Sequence, residues 1–420
     1  MSEIVPEGWQ NLRLNEIAKI KRGTTYVSSE LSEDGSSFPL YINMKSFKVG
    51  GGYNKFGDKF YTPKYKKEQV LNNNDILIAN TDVTASCDIL GAALCLPDDK
   101  LEKDVLFSHH VTALQLNSSA CKLFIFYLLC LGKYRVEMQS YGRGTTVKML
   151  DSNEFGTIAL NLPPLPEQKK IASILNSVDD VIETTQKQID KLQDLKKATM
   201  NELLTKGIGH TDFKDSELGR IPKSWEVKAL GDYVKLQGGN AFPSSSFSEN
   251  GVPVVRISNI VDGIVDMSKC IYFAESERFR NFVVCKGDIL LAMSGATTGK
   301  VGVYWNNFES YLNQRVGRFK VLNKEKVAPL FLKHLVQSSI FSEATLRDAI
   351  GGAQPNISSS QVESVMYAFP PIGEQKLIAS TLGAIDQQIE IKRQKLTQTQ
   401  SLKKSLMQDL LTGKVRVEVD

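Results

Sequence analysis

One segment of the chain is written twice. Pro6-Glu-Gly-Trp9-Gln-Asn-Leu-Arg-Leu14 recurs as Pro222-Lys-Ser-Trp225-Glu-Val-Lys-Ala-Leu230, an offset of 216 residues, and Gly23 falls on Gly239. Glu167-Gln-Lys-Lys-Ile-Ala-Ser173 returns as Glu374-Gln-Lys-Leu-Ile-Ala-Ser380, an offset of 207. That second register runs without a gap through Asp179 and Asp386, Ile182 and Ile389, and Met200 and Met407. It ends at Leu203-Leu-Thr205 and Leu410-Leu-Thr412. Between the anchors the likeness is fainter, with Asp75-Ile-Leu-Ile-Ala79 against Asp288-Ile-Leu-Leu-Ala292 and Phe124 against Phe331. A repeat of this length dictates the architecture. The unit is a variable block of about 150 residues followed by a more similar block of about 45, and two units fill nearly all of the 420 residues.

The similar blocks read as long helices. From Glu167 to Lys206 there is no Gly or Pro, and the good helix formers Lys, Gln, Glu, Leu and Ala are frequent. Apolar or small residues fall at Ile171, Leu175, Val178, Ile182, Thr185, Ile189, Leu192, Leu195, Thr199 and Leu203. Most steps are four then three, the heptad of a coiled-coil seam. The second block repeats the pattern at Ile378, Leu382, Ile385, Ile389, Leu396, Thr399, Leu402, Leu406 and Leu410. Lys392 interrupts this seam, and the step of three from Leu192 to Leu195 disturbs the first. Pro166 suits a first helical turn, and Gly207 and Gly413 sit where C-terminal caps belong. Forty residues at 1.5 Å rise make a rod of roughly 60 Å. One apolar stripe on a helix that long needs a partner: the other copy can supply it, head to tail, or each helix packs only on its own block, which the shared register and length disfavour. The expected fold is therefore α+β: two mixed blocks separated by a long antiparallel two-helix coiled coil, with an internal pseudo-two-fold repeat. The expected boundaries are 1–163, a helical block at 164–208, a linker at 209–221, a second mixed block at 222–371 and a second helical block at 372–415.

Within the variable blocks, Asp75–Ala79, Val111–Leu116, Val252–Ile257 and Asp288–Ala292 read as strands between Gly, Asn and Pro turns. Phe124–Leu131 and Pro329–Val336 read as short helices. Bulk charge is nearly balanced, 51 basic against 47 acidic residues, so a nucleic-acid partner must be argued from local patterns. One window offers such a pattern. From Tyr53 to Lys67, Lys55, Lys59, Lys64, Lys66 and Lys67 alternate with Tyr53, Phe56, Phe60, Tyr61 and Tyr65, against Asp58 alone. Lysines neutralise phosphates, and aromatics brace loops or touch bases. A solvated strand face with its aromatics in the core explains the window equally well. The second block offers Arg256, Asn259, Arg278, Arg280, Arg315, Arg318 and Lys320. Gln314-Arg315 is the most attractive pair, because Arg forks onto guanine and Gln onto adenine, although polar residues at a sheet edge explain it equally well. Gly-rich turns at Gly142-Arg143-Gly144-Thr145-Thr146 and Gly351-Gly-Ala-Gln354-Pro-Asn356 would let backbone approach a duplex.

Catalytic signatures are missing. Gly295-Ala-Thr297-Thr-Gly299-Lys300-Val301 is one residue short of a phosphate loop and lacks the hydroxyl after Lys300 that would hold magnesium. Asn161-Leu-Pro-Pro164 does not match the Asn-Pro-Pro-aromatic pattern of amino-methyltransferases. The histidines, at 109, 110, 210 and 334, form no metal or nucleophile motif. The six cysteines form no C-x-x-C pair, so structural zinc is not expected; reduced, mostly buried thiols are. No apolar run is long enough to span a bilayer, and MSEIVPEGWQ has no signal-peptide character, which predicts a cytoplasmic protein.

The doubled Glu-Gln-Lys-x-Ile-Ala-Ser helices resemble the specificity subunit of type I restriction-modification enzymes. So do the linker Phe213-Lys-Asp-Ser-Glu-Leu-Gly-Arg-Ile-Pro-Lys-Ser-Trp225 and the turns Gly287-Asp-Ile-Leu and Ser294-Gly-Ala-Thr297. Gly373 stands where the first copy has Pro166. The resemblance covers essentially the whole chain. It implies a non-catalytic DNA reader in which each variable block is a target recognition domain for one half of a split, asymmetric site. The helices would be spacers that also help dock two modification subunits. Those subunits would bring S-adenosylmethionine and methylate adenine, and restriction subunits would add cleavage. On this reading the DNA-binding candidates are Lys55, Lys59, Tyr61, Lys64, Lys66, Arg143, Thr145, Arg256, Asn259, Ser294, Thr297, Lys300, Gln314, Arg315 and Gln354, with no metal and no cofactor on this chain. Two other classes compete: a coiled-coil scaffold joining two protein-binding modules without DNA, and a self-sufficient methyltransferase, which the missing motifs disfavour.

Overall fold

The computed structural model describes residues 5–35, 37–84, 86–347 and 356–419. They form two compact units, Met1–Gln186 with Gln394–Asp420, and Lys187–Arg393. Each unit thus holds one variable block, the near part of the helix that follows it and the far part of the other copy's helix.

In the first unit, β1 (Ala18–Arg22), β2 (Leu40–Ile42), β3 (Asp75–Ala79), β4 (Val105–Phe107) and β5 (Val111–Leu116) carry the framework. The unbroken apolar run Ile76–Ala79 after the Asn72–Asn74 turn is what a strand buried on both faces requires, and every residue of β3 is buried. It pairs antiparallel with β5, which pairs in turn with β1. In a second sheet β2 runs parallel to β4 and antiparallel to Lys59–Tyr61. Helix α1 (Lys122–Leu129) covers the core, with Phe124, Ile125 and Leu128 fully buried. The chain then enters α2 (Leu165–Lys206).

The second unit repeats this plan with β6 (Val234–Gly238), β7 (Val252–Val255), β8 (Ile289–Ala292), β9 (Ser310–Leu312) and β10 (Val316–Val321). Strand β10 lies between β6 and β8, and β7 runs parallel to β9. Helix α3 (Pro329–Val336) takes the place of α1, and the unit leads into α4 (Ile372–Leu410).

The paired Glu-Gln residues explain the similarity of the helical blocks. Buried Gln168 accepts from the Cys121 N–H at 2.8 Å and donates to the carbonyls of Ser119 and Pro163. Gln375 accepts from Ala328 at 2.9 Å and donates to Lys326 and Pro370. Each glutamine ties its helix to the preceding block. Each glutamate receives the end of the other helix. Arg416, beyond Gly413, donates to Glu167 at 2.7 and 2.8 Å. In the second unit Glu374 accepts from Ile208 N at 3.0 Å and Trp225 Nε1 at 3.0 Å, and pairs with His210 Nε2 at 2.8 Å. Gly207 and Gly413 have φ of 68° and 71°, the left-handed conformation that a helix stop favours in glycine.

The helix segments run antiparallel within each unit. In the first, Ile171 and Leu175 share a core with Leu410 and Leu411, and Asp179 pairs with Lys403 at 2.6 Å. In the second, Leu204 shares a core with Ile378 and Leu382, and Lys196 pairs with Asp386 at 2.6 Å. Ile171, Leu175, Ile189, Ile378, Leu382 and Ile389 are buried, and Val178, Ile182, Leu192, Ile385 and Leu396 half-buried, along the apolar strips. Leu402 is corrected: it is 52% exposed, as is Leu195. The strip passes instead through Lys403 and Lys196, whose stems are covered while their ammonium groups reach Asp179 and Asp386. The heptad is therefore unbroken, stepping four and three through Lys196 and Lys403, and Lys392 is half-buried on the strip at the position of Thr185. Both disturbances expected from apolar spacing disappear once lysine stems are allowed on the seam.

The expected strand Val252–Ile257 stops at Val255, and the expected helix at Phe124 begins at Lys122. All six cysteines are free, but only Cys87 is buried and Cys285 is exposed. Among the described residues no helix is long and apolar enough to cross a membrane, and no group of His, Cys, Asp or Glu could hold a metal ion.

Candidate nucleic-acid interface

The turns of the second unit converge at one end of its sheets. After β6, Gly239 N donates to Val316 O and Asn240 N to Leu312 O; Gln314 N returns a bond to Asn240 O at 2.8 Å. Asn313 N donates to Val255 O, beside Arg256, and Met293 N donates to Arg315 O at 2.9 Å. Ile357 N closes the group on Met293 O. A side chain at Gly239 would put its Cβ 2.2 Å from Asn313 O, so this close approach requires glycine. Arg256, Ser294, Thr297, Lys300, Gln314 and Arg315 all lie in these turns. Gln314, Arg315 and Lys300 are exposed. Arg256 Nε and Ser294 Oγ are buried without a hydrogen-bond partner.

The first unit builds the same cluster from different residues. Gly23 precedes Thr24, whose N–H donates to Phe107 O; His109 N donates to Thr24 O and Ser108 N to Ile42 O. Asn80 N donates to His110 O at 3.0 Å, and Leu150 N to Asn80 O at 2.8 Å. A Cβ at Gly23 would lie 2.2 Å from Ser108 O, the counterpart of the approach at Gly239. Thr24 thus matches Asn240, Asn43 matches Arg256, Asn80 matches Met293, and His109-His110 match Gln314-Arg315. The hairpin of Gly142–Arg143 and Lys148–Leu150 joins the cluster through Thr81–Asp82.

Several expected site residues are drawn elsewhere. Tyr61 is corrected: it is 8% exposed and its ring stacks on Tyr41 at 5.2 Å, so it belongs to the core. Asn259 is also corrected. It is buried, its amide donating to Asp266 O and Lys269 O while its oxygen accepts from Arg256 N, so it shapes the turn and offers no free edge. Arg318 is buried among Val283 O, Asp288, Gln237 and Asn281 O and acts as a structural tie. The lysine window is split. Lys55 and Phe56 are exposed next to the cluster, where Asn43 Nδ2 meets Gly57 O. Lys59 pairs with Glu33. Lys64 and Lys66 are exposed near the start of β4, at the opposite end of the sheet, where Leu71 N donates to Val105 O. Arg143 lies on the hairpin and pairs with Asp151 and Glu154, with Thr145 exposed beside it. Gln354 lies outside the described residues.

His109, His110 and Asn80 were not among the expected residues. The two imidazoles lie 3.8 Å apart between centroids. Burial, then the neighbouring His109, lowers the pKa of His110. Their signal was available: Ser108-His-His-Val111 aligns with Asn313-Gln-Arg-Val316 once the strands after them are superposed.

The type I restriction modification DNA specificity domain model matches residues 6–194 and again 222–400. The chain belongs to the type I restriction-modification specificity family. The MjaVIII specificity subunit of Methanocaldococcus jannaschii is 34% identical over 421 residues, covering 99% of this chain and 94% of that protein. The EcoBI specificity subunit of Escherichia coli is 21% identical, covering 88% of this chain and 78% of that one. The S subunit from M. genitalium matches the fold with a TM-score of 0.58 and 14% identity, covering 98% of each chain. The chain is thus a non-catalytic, sequence-specific DNA-recognition subunit with two specificity domains, and the scaffold reading that dispenses with DNA is not favoured.

Proposed function

We propose that each unit of this specificity subunit reads one half of a bipartite asymmetric site through its turn cluster, and that α2 and α4 set the distance between the halves. The observation that carries this reading is the pair of clusters: the same backbone hydrogen bonds hold different side chains, Arg256, Met293, Gln314 and Arg315 against Asn43, Asn80, His109 and His110. Unlike side chains on one frame are what two unlike half-sites require. The Arg and Gln heads suit base edges in the major groove. Lys55, Arg143, Thr145, Thr297 and Lys300 flank the clusters and suit phosphates or sugars. Lys64, Lys66 and the paired Lys59 are left as minor electrostatic contributors. The domain limits are 1–163, 164–208, 209–221, 222–371 and 372–415.

The subunit docks two modification subunits, which bring S-adenosylmethionine and methylate adenine, and restriction subunits join them for cleavage; the assembly works in the cytoplasm. A net charge of only +4 fits a reader that shares its DNA grip with partners. Helices of 42 and 39 residues, at 1.5 Å per residue, exceed one DNA turn of about 34 Å. Methylation mapping of a genome carrying the chain and its partners tests the reading, with a two-part motif and a fixed spacer as the expected result. Removing one heptad in register from both helices, residues 185–191 and 392–398, is expected to change the tolerated spacer and keep both half-motifs. A single continuous motif, or an unchanged spacer preference, would contradict it.

A further inference from the structure

We propose that the His109–His110 pair, backed by Asn80, is the base-reading element of the first unit and takes a base edge of duplex DNA. This rests on the DNA-recognition reading above and assigns a residue set to one of its halves. Three observations carry it. The pair occupies the backbone position of Gln314-Arg315: His109 N donates to Thr24 O as Gln314 N does to Asn240 O, and Asn80 N donates to His110 O as Met293 N does to Arg315 O.

Unpaired polar atoms also concentrate here. Nδ1 of His109, Nδ1 of His110 and Oδ1 of Asn80 are all buried without a hydrogen-bond partner. A buried group left unpaired costs roughly 1–3 kcal/mol, so three in two adjoining turns single out this polar cluster beneath the ring edges that remain accessible. Asn80 is held in place by its own amide, which donates to His109 O at 3.2 Å and Thr112 Oγ1 at 3.1 Å.

The chemistry then fits a base edge better than a phosphate. The rings are half-buried, with centroids 3.8 Å apart, and Tyr26 lies against His109 at 6.0 Å. Burial and the mutual proximity of the rings oppose protonation at His110. With Nδ1 buried, a neutral imidazole offers Nε2 as donor or acceptor according to its tautomer, so two such rings can show a base edge one of each, whereas a phosphate oxygen calls for donors alone. No further ligand joins the two rings in a metal-binding group among the described residues.

The experiment grafts one unit's pair onto the other. In the full chain assembled with its modification subunits, His109→Gln and His110→Arg are introduced together and the methylated motif is mapped. The first half-motif, identified as the half that Arg315→Ala leaves intact, is expected to change. Methylation of the original site is expected to fall at least tenfold, with the second half-motif retained. If the double variant does not assemble, His109→Gln and His110→Gln are made singly, and each is expected to relax the first half-motif. An unchanged motif at the wild-type rate, or a fall uniform over all sequences, overturns the assignment. A wild-type complex without a two-part motif would instead defeat the underlying DNA reading, so the two failures are distinct.

Discussion

Gln168 and Gln375 make the same three hydrogen bonds 207 residues apart, whereas the turn before the central strand carries His109-His110 in one unit and Gln314-Arg315 in the other. The units agree where a block must be fastened to a helix and differ where side chains face outward from a common frame. Fastening tolerates little variation, because a buried amide has to meet fixed backbone groups. Recognition needs variation, because two half-sites differ. The same contrast separates the glutamates. Glu167 meets Arg416, which also lies 5.9 Å over Trp9, and Trp9 Nε1 is left without a partner. Glu374 takes Trp225 Nε1 and His210 instead. The receptor is conserved between the copies while its guests are exchanged.

The fastening side of the comparison breaks most severely at glutamine. Gln375→Leu leaves the buried Ala328 N–H and the carbonyls of Lys326 and Pro370 without their partner. At roughly 1–3 kcal/mol for each unpaired group, a loss of about 4 kcal/mol is expected in denaturant titration. Gln168→Leu should cost a similar amount if the two anchors are equivalent, and a disparity beyond twofold would show that they are not.

A smaller effect distinguishes the units by acid. Tyr127 and His334 hold the same helix position. Tyr127 donates to Asp179 at 2.8 Å. His334 is 1% exposed, and its pKa is pushed down to about 4 by burial first and then by Lys333, with Asp386 opposing. The unfolded chain takes up this proton near pH 6.5 and the folded chain does not until about 4. The stability therefore present above pH 6.5 falls as the pH drops to about 4, by up to about 3 kcal/mol. His334→Phe should flatten this slope in denaturation curves taken between pH 7.5 and 4.5. An equal slope in the variant would assign the acid lability to other groups.

The smallest effect sharpens the seam. Leu402→Gln, on an exposed helix face, should change stability by no more than about 0.5 kcal/mol. A loss of 2 kcal/mol or more, the range for a buried leucine, would return Leu402 to the seam.

Repetition made the architecture legible. The gapless offset of 207 exposed the helices, their caps and their head-to-tail pairing, because a rigid rod cannot absorb an insertion without rotating its apolar face. The seam itself was misread by one residue. Lys196 and Lys403 look polar in isolation, and their aspartates lie 190 and 224 residues away in the chain. The turn clusters were legible in one unit and hidden in the other. Gln314-Arg315 stood out by chemistry, while His109-His110 needed an alignment whose offset drifts from 216 at Gly23 to 213 at Asp75 and 205 at His109. Loops absorb such insertions freely, so no simple period points to their functional residues. Composition misled at Tyr61 and Asn259, since an aromatic on a strand and an amide in a tight turn have strong structural uses of their own.

Whether each unit reads its own half-site through its turn cluster is decided by mapping the motif methylated by a complex carrying Arg315→Ala. Arg315 is exposed, and its backbone alone supports the fold through Met293. Loss of base preference in one half-motif is expected, with the other half and the spacer unchanged. An equal decline at every sequence, or relaxation of both halves together, would contradict it.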